Sequence, residues 1–129
     1  MHIAHLALWA QDPEKLAHFY QRYFGARAGA IYTNPRKGFR SRFLEFASGA
    51  RLEVMHRPGI VPREDPAERE RLGYAHLALS VGDDAQVDAL TARLIADGYT
   101  CLDGPRRTGD GYYESVVLDP EGNRIEITT

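Results

Sequence analysis

From Ile3 to Ala10 the chain alternates, with Ile3, His5, Ala7 and Trp9 on one face and the apolar set Ala4, Leu6, Leu8 and Ala10 on the other. Successive strand residues point to opposite faces, so this is a strand with one packed side and one mixed side. The next stretch, DPEKLAHFYQRYFG, changes period. Asp12 is placed to cap a helix, Pro13 to open it and Gly25 to stop it, while Leu16, Phe19, Tyr20, Tyr23 and Phe24 recur at helical spacing. RFLEFASGARLEVM then reads as a hairpin turning near Ser48-Gly49, with Leu52 and Val54 on one face and Arg51, Glu53 and Met55 on the other. Between Arg57 and Gly73, Pro58, Pro62 and Pro66 stand among charges and break both periodicities, although Ala67–Leu72 is long enough for a short helix.

The order then restarts. GYAHLALSV is a second strand, DDAQVDALTARLIADG a second helix capped by Asp83 or Asp84 and ended by Gly98, and SVVLDPEGNRIEITT a hairpin turning at Asp119–Gly122. The tetrapeptide HLAL occurs at His5 and again at His76, 71 residues on; GARLEV and GNRIEI align Gly49 with Gly122, Arg51 with Arg124 and Glu53 with Glu126, 73 residues apart. Two separated motifs at nearly one offset mark an internal duplication. The fold class is therefore α+β, built from module 1 at about 1–57, a linker at about 58–72 and module 2 at about 73–129 within one domain of 129 residues.

Charge and cysteine content remove several classes of function. Sixteen basic against eighteen acidic side chains leave a formal charge of −2, so nothing marks a nucleic-acid footprint. No apolar run approaches a membrane span and no leader pattern opens the chain, so a cytoplasmic protein without membrane contact is expected. Cys101 is the only cysteine, which forbids an intrachain disulfide and a thiolate metal cage. Any metal must be held by His, Asp and Glu.

Period-2 geometry supplies such a set. His5 and His76 are expected mid-strand opposite Leu6/Leu8 and Leu77/Leu79, and Glu53 and Glu126 mid-strand opposite Leu52/Val54 and Ile125/Ile127. All four then project from the face that the helices leave open, where a carboxylate is costly unless paired or bound to metal. Two imidazoles and two carboxylates suit one divalent ion such as Zn, Ni, Co, Fe or Mn.

With paired modules, a His on the first strand and a Glu on the last strand of each, and the DPEGNRIEI ending, the chain resembles the vicinal oxygen chelate superfamily, particularly its glyoxalase I (lactoylglutathione lyase)-like branch. The likeness spans essentially the whole chain. It implies two βαβββ modules forming a cup-shaped, mostly antiparallel sheet, a homodimer, a metal held by His5, Glu53, His76 and Glu126, and a small-molecule substrate with vicinal oxygens. It further implies lyase or isomerase chemistry through an enediolate, with Glu126 as the base and Glu53 as the symmetric second candidate. Members that grip glutathione tend to carry Arg four residues after the first His and Asn four residues after the first Glu; this chain has Trp9 and Arg57 there, which points to a different substrate.

Other members of the superfamily are ring-cleaving dioxygenases or thiol transferases that use two His and one Glu, and others are binding proteins that sequester an aromatic ligand without the quartet. Trp9, Arg57 and Tyr113 are the candidate pocket residues, Tyr113 because RRTGDGYYES reads as a rim, a lid or an ordinary hairpin loop. Arg51 and Arg124 are expected in salt bridges, His2, His18 and His56 at the surface, and Cys101 as a small buried side chain. Arg40, Arg42, Arg106 and Arg107 would draw an anionic substrate if they lined the cup.

Overall fold

The helix over Pro13–Phe24 (α1) begins and ends where its caps stand in the sequence. The Asp12 carboxylate accepts the Lys15 N–H at 3.0 Å, and Gly25 turns the chain out at φ 64°, a left-handed conformation that costs glycine little. Its apolar stripe is buried: Leu16, Ala17, Phe19 and Tyr20 are at most 1% exposed, and each large side chain so covered contributes roughly 1.5–3 kcal/mol.

The computed structural model describes residues 1–62, 64, 69–70 and 72–129, and the chain forms two compact units, Met1–Arg63 and Glu64–Thr129. The expectation of a helix over Ala67–Leu72 falls largely outside the described residues. No helix among the described residues is long and apolar enough to cross a membrane.

In the first unit α1 packs on a sheet of β1 (His5–Trp9), β2 (Arg27–Ala28), β3 (Tyr32–Asn34), β4 (Phe39–Glu45) and β5 (Arg51–His56). The strand order is β1-β5-β4-β2, with β3 also on β4. β1 and β5 run parallel, Leu6 beside Leu52 and Leu8 beside Val54, and these four face α1. The other face carries His5, Ala7 and Trp9 from β1, Arg51, Glu53 and Met55 from β5, and Phe39, Ser41 and Phe43 from β4.

The second unit repeats the plan with β6 (Leu77–Ser80), α2 (Asp84–Ala96), β7 (Cys101–Arg107), β8 (Tyr113–Leu118) and β9 (Arg124–Thr128), ordered β6-β9-β8-β7. Asp83, not Asp84, is the cap: its carboxylate accepts the Gln86 N–H at 2.9 Å while the Gln86 side chain accepts the Asp83 N–H at 3.0 Å. Val87, Thr91 and Leu94 are buried against the sheet. The Thr91 hydroxyl donates to Val87 C=O at 2.7 Å and shares a 2.6 Å hydrogen bond with buried Ser115. Mixed α+β construction with one parallel pair per otherwise antiparallel sheet is as expected.

Local detail in three places goes beyond the sequence pattern. His5 is the first residue of β1 and His76 stands immediately before β6, so neither is mid-strand. CLDGPRR is an edge strand, bulged between Cys101 and Arg106, because Gly and Pro are tolerated where a strand has only one partner. The RRTGDGYYES stretch is accordingly a hairpin, its turn closed by Thr108 N–H to Tyr112 C=O at 2.8 Å.

Candidate metal centre

Glu53 sits beside Ala7 across the parallel β1–β5 pair, and Glu126 beside Ala78 across β6–β9. In each unit the histidine lies two residues before that alanine, on β1 or just ahead of β6, so imidazole and carboxylate meet diagonally on the open face. Nε2 of His5 lies 3.8 Å from Oε2 of Glu53, and Nε2 of His76 lies 3.2 Å from Oε2 of Glu126. The glutamates are 16% and 18% exposed, the histidines 42% and 41%. Each pair is thus half sunk and reachable from solvent. No cluster of three or more His, Cys, Asp or Glu groups arranged to hold a metal ion occurs among the described residues; what each unit offers is a two-donor half-site of one N and one O.

The surroundings of the two half-sites differ. In the first unit the Phe43 ring meets His5 edge-on at 5.4 Å, and the Arg51 guanidinium lies 4.2 Å from the centre of the same ring. Arg51 is therefore stacked on an aromatic face, and the salt bridge expected of it does not occur among the described residues. In the second unit Glu114 shares the Glu126 face and is 13% exposed. Burial, then repulsion from Glu126, pushes its carboxyl above the usual range, while Arg106, 3.9 Å away, pulls the other way. The Thr128 hydroxyl, level with Glu114, is buried without a hydrogen-bond partner among the described residues. Neither Glu114 nor Phe43 belongs to a repeated motif, so neither stands out in the sequence. Extending the β8–β9 pairing back from the Asp119–Gly122 turn would have found Glu114, two residues from the Val116 that faces Glu126.

The candidate pocket residues separate. Trp9 and Arg57 come together, the guanidinium 5.0 Å from the centre of the indole. Tyr113 does not reach the open face: it shares the helix side of β8 with Ser115, its hydroxyl donates to Asp88 of α2 at 2.8 Å, and that bond raises the phenol pKa. The strand alternation that turns Glu114 outward turns Tyr113 inward.

Most of the named arginines are already paired. Arg42 binds Glu14 of α1 at 3.0 Å on the covered face, Arg107 pairs with Asp84, and Arg106 holds Asp103, whose carboxyl is lowered by the contact. Arg124 meets Glu70 at 3.2 Å, the salt bridge expected of it. His18 is exposed, whereas the Nδ1 of His56 is part-buried 2.9 Å from the Ala10 carbonyl. Cys101 is partly exposed, against expectation.

Comparison with known proteins agrees with this construction. The trypanothione-dependent glyoxalase I of Leishmania major superposes with a TM-score of 0.76 at 22% identity, over 98% of this chain and 85% of that one. A possible glyoxalase from Bacillus cereus gives 0.72 at 23% identity, over 100% and 99%. At these identities the likeness is one of fold. An uncharacterized protein of Bacillus subtilis (strain 168), YqjT, is 36% identical over 67 residues, which span 50% of this chain and about half, 52%, of that relative. The model of the Glyoxalase/Bleomycin resistance protein/Dioxygenase superfamily matches residues 2–127, a span that takes in both His/Glu pairs and both sheets, and the chain belongs to that superfamily.

Proposed function

We propose that the protein is a divalent-metal-dependent, glyoxalase I-like lyase or isomerase acting on a small substrate with vicinal oxygens through an enediolate-type intermediate. The observation that carries the reading is the repetition of one diagonal His/Glu pair at equivalent registers on the helix-free face of each sheet. Imidazole nitrogen and carboxylate oxygen are the donors that Zn, Ni, Co, Fe and Mn accept, and both glutamates are sunk enough to gain from a cation. The four residues His5, Glu53, His76 and Glu126 would hold the ion, the two half-sites being joined within one chain or across a homodimer.

When bound, a divalent ion polarises the vicinal oxygens and supports the negative charge left when a proton departs from the adjacent carbon. The chain's own residues do the rest. Glu126 takes the proton from the carbon that bears the thiol adduct and returns it to the neighbouring carbon, so that a hydroxyl-ketone becomes a thioester with no net change in composition. Glu53 is the symmetric second base. Glu114 stands on the same face, its carboxyl pushed above the usual range by burial and then by Glu126.

The test is elemental mass spectrometry of purified protein, followed by thioester formation from methylglyoxal mixed with glutathione or with smaller thiols. About one divalent ion per His/Glu quartet is expected, with turnover falling at least about 100-fold in Glu126→Gln and the metal lost in His76→Ala. A wild-type protein that takes up none of the five metals would end the proposal. Size-exclusion chromatography with light scattering checks the dimer.

A further inference from the structure

The open face of the first unit does not end at His5 and Glu53. Along β1, roughly 13 Å further at about 3.3 Å per residue, it runs into an open cleft of about 680 Å³ bounded by Trp9, Tyr32 and Phe39, with Arg57, Lys37 and Asn34 around them. The duplicated position in β6 is Ser80, so the second unit has no counterpart to the indole.

Three features of the cleft select a ligand. Its aromatic walls are held at fixed angles: Phe39 meets Trp9 at 88° and 6.3 Å, and Tyr32 at 60° and 6.1 Å. Yet Trp9 is 42% and Tyr32 57% exposed, which leaves ring surface for a flat apolar partner. The two cations are the second feature. Among the described residues no carboxylate pairs with Arg57 or Lys37, unlike Arg42, Arg106 and Arg107, and none lines the cleft. The guanidinium of Arg57 is positioned by stacking on Trp9, and a stacked guanidinium keeps its N–H edge for a planar anion. The third feature is the turn beneath. Gly38 adopts φ 58°, and a Cβ there would stand 2.9 Å from Pro58, so the chain bearing Lys37 and the chain bearing Arg57 and Pro58 close tightly on each other.

We infer that this cleft binds a small aromatic carboxylate, its ring against Trp9 and Tyr32 and its carboxylate on Arg57 and Lys37. As the seat of the non-reacting arm of a substrate the cleft rests on the metal-enzyme reading; as a binding site it does not, and the experiment keeps the two apart.

Chelated protein is titrated calorimetrically with 3-phenylpropionate, its neutral amide and 3-cyclohexylpropionate, and the emission of Trp9, the only tryptophan, is followed in parallel. The aromatic acid is expected to bind and perturb Trp9, the amide to bind about tenfold or more weakly, and the saturated acid several-fold more weakly. Arg57→Gln and Lys37→Gln, each with unchanged circular dichroism, should lower the affinity for the acid and leave that for the amide in place; Arg57→Lys should fall between. Equal affinity for acid and amide, or no binding of the acid at millimolar concentration, overturns the inference and leaves the metal proposal standing. Binding in a protein that refuses metal would keep the cleft and remove the enzyme.

Discussion

His76 and Glu126 meet at 3.2 Å because a histidine just before β6 looks diagonally across to the middle of β9, and Glu114 crowds the same carboxylate from the other side through β8. One imidazole, two carboxylates and a guanidinium thus share one side of a small sheet. In this arrangement the acids repel each other, and a bound cation would relieve them further than Arg106 does.

Glu126→Gln should therefore stabilise the chelated protein while weakening its hold on metal. At pH 8 the variant's midpoint in thermal unfolding is expected at or above that of wild type. With added Ni²⁺ or Zn²⁺ the order should reverse, since a ligand at 100 times its dissociation constant adds about 2.7 kcal/mol to whichever protein binds it. A chelated variant clearly less stable than wild type would show that the pair with His76 outweighs the repulsion.

The raised pKa of Glu114 fixes a pH dependence. A carboxyl that holds its proton more tightly folded than unfolded contributes stability below its unfolded pKa and loses it as pH rises through the folded one. Glu114→Gln removes that loss. In chelator, the variant should gain on wild type from about pH 4 upward and level off once the folded carboxyl has ionised, as read from urea midpoints at a series of pH values; a gain confined to acid pH would contradict the assignment.

The Thr91–Ser115 contact joins α2 to β8 inside the core. Thr91 donates to Val87, so Ser115 donates to Thr91. Thr91→Val leaves the serine hydroxyl buried without an acceptor, at about 1–3 kcal/mol, whereas Ser115→Ala removes one ordinary bond at about 1 kcal/mol. The double variant should cost less than the sum, and a denaturant cycle that proved additive would rule out the coupling.

What was legible in the sequence is what local chemistry dictates. Asp12, Pro13 and Gly25 bracket α1 because caps act within one turn, and His5 and Glu53 share the open face because strand alternation is a fixed geometry. The break of the first module's second strand into Arg27–Ala28 and Tyr32–Asn34 was not legible, since two or three residues carry no period. Nor was the edge strand Cys101–Arg107, whose Gly104-Pro105 reads as a turn until its single partner is known. Tyr113 reads as a pocket residue for the same reason: the face of a strand follows from its pairing, and the pairing of β8 depends on the turn after it.

That turn is held by Asp119, 4% exposed, whose carboxylate accepts the N–H groups of Glu121 and Asn123 at 2.9 and 2.8 Å and the Asn123 side-chain amide at 2.9 Å. A slip of one residue would turn Glu126 toward the helix. Asp119→Ala should cost about 2–3 kcal/mol and weaken metal uptake although it touches no donor; Asp119→Asn, keeping an acceptor, should recover part of both. Loss of stability with metal affinity intact would separate the turn from the site.

Gly104 gives the sharpest contrast between backbone preference and space. Gly49 and Gly104 share a left-handed conformation, at φ 85° and 79°, so alanine at either carries a conformational cost of about 1–2 kcal/mol. A Cβ on Gly49 meets nothing within 4 Å, but one on Gly104 would stand 2.5 Å from the Glu114 carbonyl oxygen and 2.9 Å from Ser115 Cα. Neither backbone atom can yield without moving β8, and β8 carries Glu114 on one face and the Ser115 contact on the other. Gly104→Ala should thus be destabilised by at least about 1–3 kcal/mol more than Gly49→Ala, within the range of core overpacking, and should alone perturb the acids around Glu126. Denaturant midpoints for the two variants, with metal affinity beside them, decide it: equal losses would mean that β7 swings away freely at its bulge and that the close approach of Gly104 does not set the position of β8.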